Sequence, residues 1–213
     1  MVRRCALLAA ALSISSVASL AADPAKPSIV LAPMFGDAVS LMVPAGWVKV
    51  HQQKTERLAI LEFVPAGQST AAWSEMITVQ AFKGVPANVT PLGLLESTAG
   101  RIGGVCPDHA VAATLGELKV GERPAHAAII GCGTMPAGTA GAGAGQGEVA
   151  YYVAIRGTSD MVVVQRAVRG KAFDRRQPPI TRQVASAMHA ALQPLSVCGL
   201  SEPPAQCGPG AKR

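Results

Sequence analysis

The stretch GEVAYYVAIR (Gly147–Arg156), the four residues Gly157-Thr158-Ser159-Asp160, and the run MVVVQRAV (Met161–Val168) decide the fold class. Two apolar runs rich in β-branched and aromatic residues flank a loop of turn formers, which predicts an antiparallel hairpin. Ala110–Val120 and Pro124–Cys132 around Gly121-Glu122-Arg123 predict another just upstream. Further back, Met76–Phe82 alternates cleanly, with Met76, Thr78, Gln80 and Phe82 opposite Ile77, Val79 and Ala81. That period of two predicts a strand. Arg57–Val64 is denser in apolar residues, predicting an inner strand that Pro65-Ala66-Gly67 ends. Val39–Pro44 and Trp47–Gln52 are extended around Ala45-Gly46. In the second of these, Trp47, Lys49 and His51 are expected on one face.

Two helices complete the pattern. Thr90 is placed to cap the first and Pro91 suits its first turn, while Leu92, Leu95, Ala99 and Ile102 form its apolar stripe. Gly103-Gly104 is its expected end. The second runs from about Pro179 to Gln193, with Ile180, Val184, Ala187, Met188 and Ala191 on one stripe and Pro194 restricting its continuation. Ser69–Glu75 predicts a short helical turn capped by Ser69 or Thr70, with Trp73 pointing inward. Pro136–Gly147, almost wholly Gly, Ala, Thr and Pro, predicts a mobile loop, and Arg175–Pro179 a connector. Each amphipathic helix must cover apolar sheet. The expected class is therefore α+β, a mainly antiparallel β-sheet covered by two principal amphipathic helices.

The run Val39-Ser40-Leu41-Met42-Val43-Pro44-Ala45-Gly46-Trp47 resembles the strand–Pro–Gly–Trp opening of the PsbP-like fold group, which includes small bacterial envelope proteins similar to DcrB. The order of strands, helix, hairpins and helix is similar over most of the remaining chain. That resemblance implies a PsbP-like sandwich and a non-enzymatic accessory or binding role, with no catalytic motif to carry over. A fold alone does not settle function.

The first residues predict an address. Arg3 and Arg4 precede the apolar run Ala6–Leu12, and Ser19-Leu20-Ala21 fits signal-peptidase cleavage. The run is short for a bilayer span, which needs about 20 apolar residues. Cys5 lies before it and would leave with the leader. The expected organisation is a cleaved signal peptide at 1–21, a flexible segment at 22–38, a single α+β domain at 39–198 and a C-terminal tail at 199–213. The expected location is periplasmic or secreted, without a transmembrane anchor after cleavage. The full chain of 213 residues carries a formal charge of +6, and loss of Arg3 and Arg4 leaves 17 basic against 13 acidic side chains. This balance, with few aromatics for base stacking, gives no support to nucleic-acid binding.

In an oxidising compartment Cys106, Cys132, Cys198 and Cys207 are expected as crosslinks, and four cysteines allow three pairings. A two-residue turn at Gly121-Glu122 would place Cys132 near Val111, with Cys106 just upstream. Pro203 and Pro204 would bend the tail between Cys198 and Cys207. The favoured pairs are Cys106–Cys132 and Cys198–Cys207, worth about 3.5 and about 2.6 kcal/mol in loop-closure entropy. Cys106-Pro107-Asp108-His109 lacks a second ligand pair, so no metal is expected, and no Cys-x-x-Cys suggests thiol exchange.

Catalytic signatures are missing as well. The chain has no Gly-x-Ser-x-Gly elbow, no His-Glu-x-x-His and no phosphate loop ending Gly-Lys-Ser/Thr. Gly141–Gly147 misses the third glycine of the dinucleotide pattern and leads into a strand, so no cofactor is expected. Glu62 and Glu75 flank the Trp73 segment and could approach one another. Asn88-Val89-Thr90 matches a glycosylation sequon, but a capping role accounts for Thr90. Arg166, Arg169, Lys171, Arg175, Arg176 and Arg182 gather late in the chain with Asp174 as the only acid among them, a candidate patch for an anionic partner. Trp73, with Pro65 and the 136–147 loop, is a candidate groove.

These signs point to an exported, disulfide-stabilised, non-catalytic binding or accessory protein of the cell envelope. Its expected partner is an envelope protein or an anionic envelope component. The rival readings are an extracytoplasmic hydrolase using His51 or His109 in a noncontiguous site, and a carrier of a small apolar ligand between sheet and helices.

Overall fold

In the computed structural model, which describes residues 26–136 and 145–201, ten strands form two antiparallel sheets, with two helices. The larger sheet has seven strands in the order β3 (Trp47–Lys54), β4 (Leu58–Pro65), β5 (Glu75–Phe82), β9 (Met161–Lys171), β8 (Gln146–Arg156), β7 (Arg123–Cys132) and β6 (Ala110–Val120). The smaller places β2 (Asp37–Val43) between β1 (Ser28–Pro33) and β10 (Ser196–Gly199). The α+β class and the mostly antiparallel pairing are thus established.

Alternation in the central strands fixes the two faces of the large sheet. Leu61, Phe63, Ile77, Val79, Val153, Ile155, Val162 and Val164 point to one side, where they meet Val39, Leu41 and Val197 of the small sheet. Helix α2 (Arg182–Ala191) joins this inner core through Ala185 and Met188, with Leu192 just beyond it. The opposite side carries Ala128, Ile130, Ala154 and Val163. Helix α1 (Pro91–Val105) covers these with Leu95, Ala99 and Ile102. Caps set both helix starts: Thr90 Oγ1 accepts the Gly93 N–H at 3.0 Å, and Thr181 Oγ1 accepts that of Val184 at 3.3 Å. Such a cap is worth about 1 kcal/mol.

Several details depart from the sequence reading. Part of the expected flexible segment 22–38 is ordered as β1, which pairs along its whole length with β2. Ser69–Glu75 is not a helical turn. Ser69 bonds back to the Ala72 N–H through its side chain and backbone, a local turn that competes with helix. A bulge between Lys49 and His51 breaks the expected sharing of one face in β3. Lys49 pairs with Phe63 on the inner side, and His51 pairs with Glu62 on the α1 side. A second bulge between Thr114 and Gly116 moves the β6–β7 register by one, so Cys132 lies opposite Ala110 and not Val111. Helix α1 continues past Gly103-Gly104 to Val105, and α2 starts at Arg182, after its Thr181 cap. The core of the 136–147 loop, 137–144, lies outside the described residues.

Buried carboxylates tie loops to the sheets. Asp160 accepts the Gly36 N–H at 3.0 Å and the Gly84 N–H at 3.2 Å, while Asp37 accepts that of Thr158 at 3.0 Å. A Cβ on Gly157 would collide with the Asp37 carboxylate, so only glycine fits there.

Candidate functional site

The six late basic residues are dispersed by the fold. In β9, Arg166 faces the inner side and Arg169 the α1 side, because they are an odd number of residues apart. Each meets an acid on a strand that pairs directly with β9. Arg166 pairs with Glu75 at 3.0 Å and lies 5.7 Å from the Trp47 ring centre. Arg169 pairs with Glu148 at 2.7 Å and stacks 3.8 Å over Trp73. Lys171 is exposed at the end of β9. Arg175 and Arg176 sit on the connector, where Asp174 accepts from Arg176 at 2.8 Å. That pairing holds the Asp174 carboxyl down at about 2. Arg182 opens α2 and donates to the Leu115 carbonyl at 3.2 Å. The sequence shows charge sign; it does not show that Glu75 and Glu148 arrive across the sheet.

Trp73 is half-buried. It serves as the lid of the Arg169–Glu148 pair and lines none of the principal depressions described here. Cys106 and Cys132 form a disulfide with a Cα–Cα distance of 6.0 Å, joining the end of α1 to β7. Cys198, on β10, is also disulfide-bonded, and Cys207 lies outside the described residues.

The residues proposed for hydrolysis do not converge. His51 is on β3 and His109 immediately precedes β6, at opposite edges of the seven-stranded sheet. Six strand spacings separate those edges, about 29 Å. Glu62 and Glu75 point to opposite faces of the sheet, so they do not form an acid–base pair. Partial burial pushes the Glu62 carboxyl up, and His51 opposite pulls it partway back. His126 is buried against Thr114 Oγ1 at 2.7 Å. Among the described residues no group of three or more His, Cys, Asp or Glu side chains could hold a metal, and no helix is long and apolar enough to cross a membrane.

The arrangement best suited to binding lies where the two sheets part. The edge strand β1 of the small sheet and the edge strand β3 of the large one border a single groove of about 390 Å³. Val30, Ala32, Leu61 and Phe63 supply apolar surface, and Lys49 and Lys54 are its charged members, with no acid in the lining. Lys54 Nζ donates to the Met34 carbonyl at 2.6 Å and lies 5.1 Å from the Phe35 ring centre, fixing it at one end. Lys49 Nζ donates to Gln52 Oε1 at 2.9 Å. On the outward face of β1, Ile29 and Leu31 remain 41% and 58% exposed, an apolar edge without charge. This edge lies in the segment 22–38 that the sequence reading expects to be flexible. Only pairing with β2 makes Ser28–Pro33 an edge.

Fold and groove together describe a two-sheet α+β domain with a lysine-flanked seam. No family model matches the chain, and no curated protein does. Among solved structures, a point mutant of Mog1 aligns at a TM-score of 0.42 and 16% identity, covering 77% of this chain and 84% of that one. The Saccharomyces cerevisiae Ran-binding protein Mog1p aligns at 0.42 and 15%, covering 78% and 85%. Ran binding is a property stated of that yeast protein. These neighbours correct the expected resemblance to the PsbP-like group. They likewise correct the exported reading built around it: the signal peptide, the periplasmic or secreted location, the accessory role in the envelope, and the envelope protein or anionic envelope component as partner.

Proposed function

We propose that the protein is a peptide-binding module that takes an extended segment of a partner protein into the seam between its sheets. One observation carries this reading: two sheet edges, β1 and β3, border the same apolar groove. An edge strand presents a row of backbone N–H and C=O groups suited to pairing with an added strand. Alternate side chains of that strand would meet Leu61 and Phe63, while an acidic residue would pair with Lys49 or Lys54. Backbone pairing supplies affinity here, and the apolar floor with its two lysines supplies selectivity.

The test is selection from a displayed library of extended peptides, followed by fluorescence anisotropy and hydrogen exchange. Selected peptides are expected to combine an apolar residue with a nearby Asp or Glu and to protect the backbone amides of β1. The double variant Lys49→Glu, Lys54→Glu is expected to weaken them at least tenfold. Peptides without acids, or binding that leaves the β1 amides unprotected, would overturn the reading.

A further inference from the structure

On the inner side of the large sheet, away from the seam, a chain of hydrogen bonds ends in an unused donor. The Leu195 N–H donates to Gln193 Oε1 at 3.1 Å, which fixes the orientation of that amide. Gln193 Nε2 must then donate to His189 Nε2, 3.0 Å away. The imidazole therefore keeps its proton on Nδ1 and gives it to Tyr151 Oη at 2.9 Å. Burial pushes the His189 pKa down, consistent with a neutral ring, and pushes the Tyr151 pKa up, so the phenol stays protonated. Tyr151 thus accepts from His189 and has its own O–H left to give, with no acceptor for it among the described residues. Its side chain is on a residue only 3% exposed.

That hydroxyl borders a cleft of about 280 Å³ between α2 and the β6 bulge. Leu115, Leu118, Ala127 and Ala185 make its walls apolar, and Arg182 stands at its mouth with one N–H on the Leu115 carbonyl. Glu117 also lines the cleft, but it pairs with His126, so its side chain belongs to the α1 side of the sheet. A buried donor, a guanidinium and an apolar wall form a complementary set. We propose that this cleft binds a small monocarboxylate with an apolar body, one carboxylate oxygen accepting from Tyr151 Oη and the other facing Arg182. This site is separate from the seam and does not depend on peptide binding there.

The probe is sodium benzoate, titrated into the full chain by two-dimensional NMR with benzamide as the neutral control. Saturable benzoate binding is expected, with benzamide at least tenfold weaker. Tyr151→Phe removes the donor while keeping the ring, and Arg182→Gln alters an exposed residue without touching the core. Each is expected to weaken benzoate at least tenfold. Nitrogen shifts of His189 should report the Nδ1–H tautomer in the free protein. Failure to saturate at millimolar benzoate, unchanged affinity in either variant, or the Nε2–H tautomer would overturn the assignment.

Discussion

The two faces of the seven-stranded sheet are held by different means. The inner face is a broad aliphatic surface, with Ile77, Val79, Val153 and Val164 at 0% exposure, and is covered by the small sheet and α2. The α1 face has a smaller cluster of Leu95, Ala128, Ile130, Ala154 and Val163. It adds a disulfide from Cys106 to Cys132 and a stack of Trp73 on the Arg169–Glu148 pair. Both faces carry an Arg–Glu pair beside a tryptophan, so what sets them apart is apolar area on one and the crosslink on the other. Burial of a large aliphatic side chain contributes about 1.5–3 kcal/mol, so a few missing contacts can be offset by one staple.

The largest effect should come from the inner face. Ile77→Ala removes a fully buried side chain of β5 on that face and is expected to lower stability by about 2–5 kcal/mol, read from urea midpoints. Removing the staple with Cys106→Ser, Cys132→Ser should cost about 3 kcal/mol and loosen α1 selectively in hydrogen exchange. Uniform loss of protection on both faces would contradict the division. Next comes Arg169→Ala, expected to cost about 1.5–3 kcal/mol because Arg169 is only 8% exposed and Glu148 loses its partner. Arg166→Ala should cost about 1 kcal/mol or less, since Glu75 is 40% exposed and water can replace the pair.

The smallest effect is a difference in pH response. Burial lowers the His189 pKa below 6.5, so the unfolded chain takes up the proton first. Its contribution is complete above about 6.5 and declines as the pH falls toward the folded value. Glu62, on the α1 side, is raised above 4.5, so its contribution is complete below that value and declines as the pH rises through the folded one. Melting temperatures of His189→Asn and Glu62→Gln across pH should each lose one of these opposite slopes. Slopes of the same sign would refute the assignment.

What was legible in the sequence was whatever repeats locally. Met76–Phe82 announced its faces because alternation needs no information from elsewhere, and Thr90-Pro91 marked a helix start for the same reason. The bulges at Lys49/His51 and Thr114/Gly116 each shift a register by one; nothing nearby in sequence marks the first, whereas Gly116, at φ 113°, is the isolated strand glycine that marks the second. Strand β10 has four residues, too few for a pattern, and exists because β2 offers it an edge. The candidate sites were less legible still. The seam needs β1 and β3 brought together from two sheets, and the Tyr151 donor depends on residues 38 positions apart. The basic cluster looked unified because Glu75, 91 residues from Arg166, comes beside it only when β5 pairs with β9, and because Glu148 meets Arg169 only through the register of the hairpin.

Strand β10 has a consequence for how the molecule comes into being. It pairs Ser196–Gly199 with Asp37–Ser40, so the small sheet unites nearly the first and nearly the last described residues. During synthesis, the segment that becomes β2 must wait, half-paired, until the closing strand leaves the ribosome. Contacts this distant along the chain slow folding, because the loop must close before they repay its entropy. No strand of the seven-stranded sheet pairs with β10, whereas the small sheet is completed only by it, the last of the described strands. A truncation before Ser196 would therefore leave the translation product with an unguarded β2 edge, open to any neighbouring chain able to supply four residues.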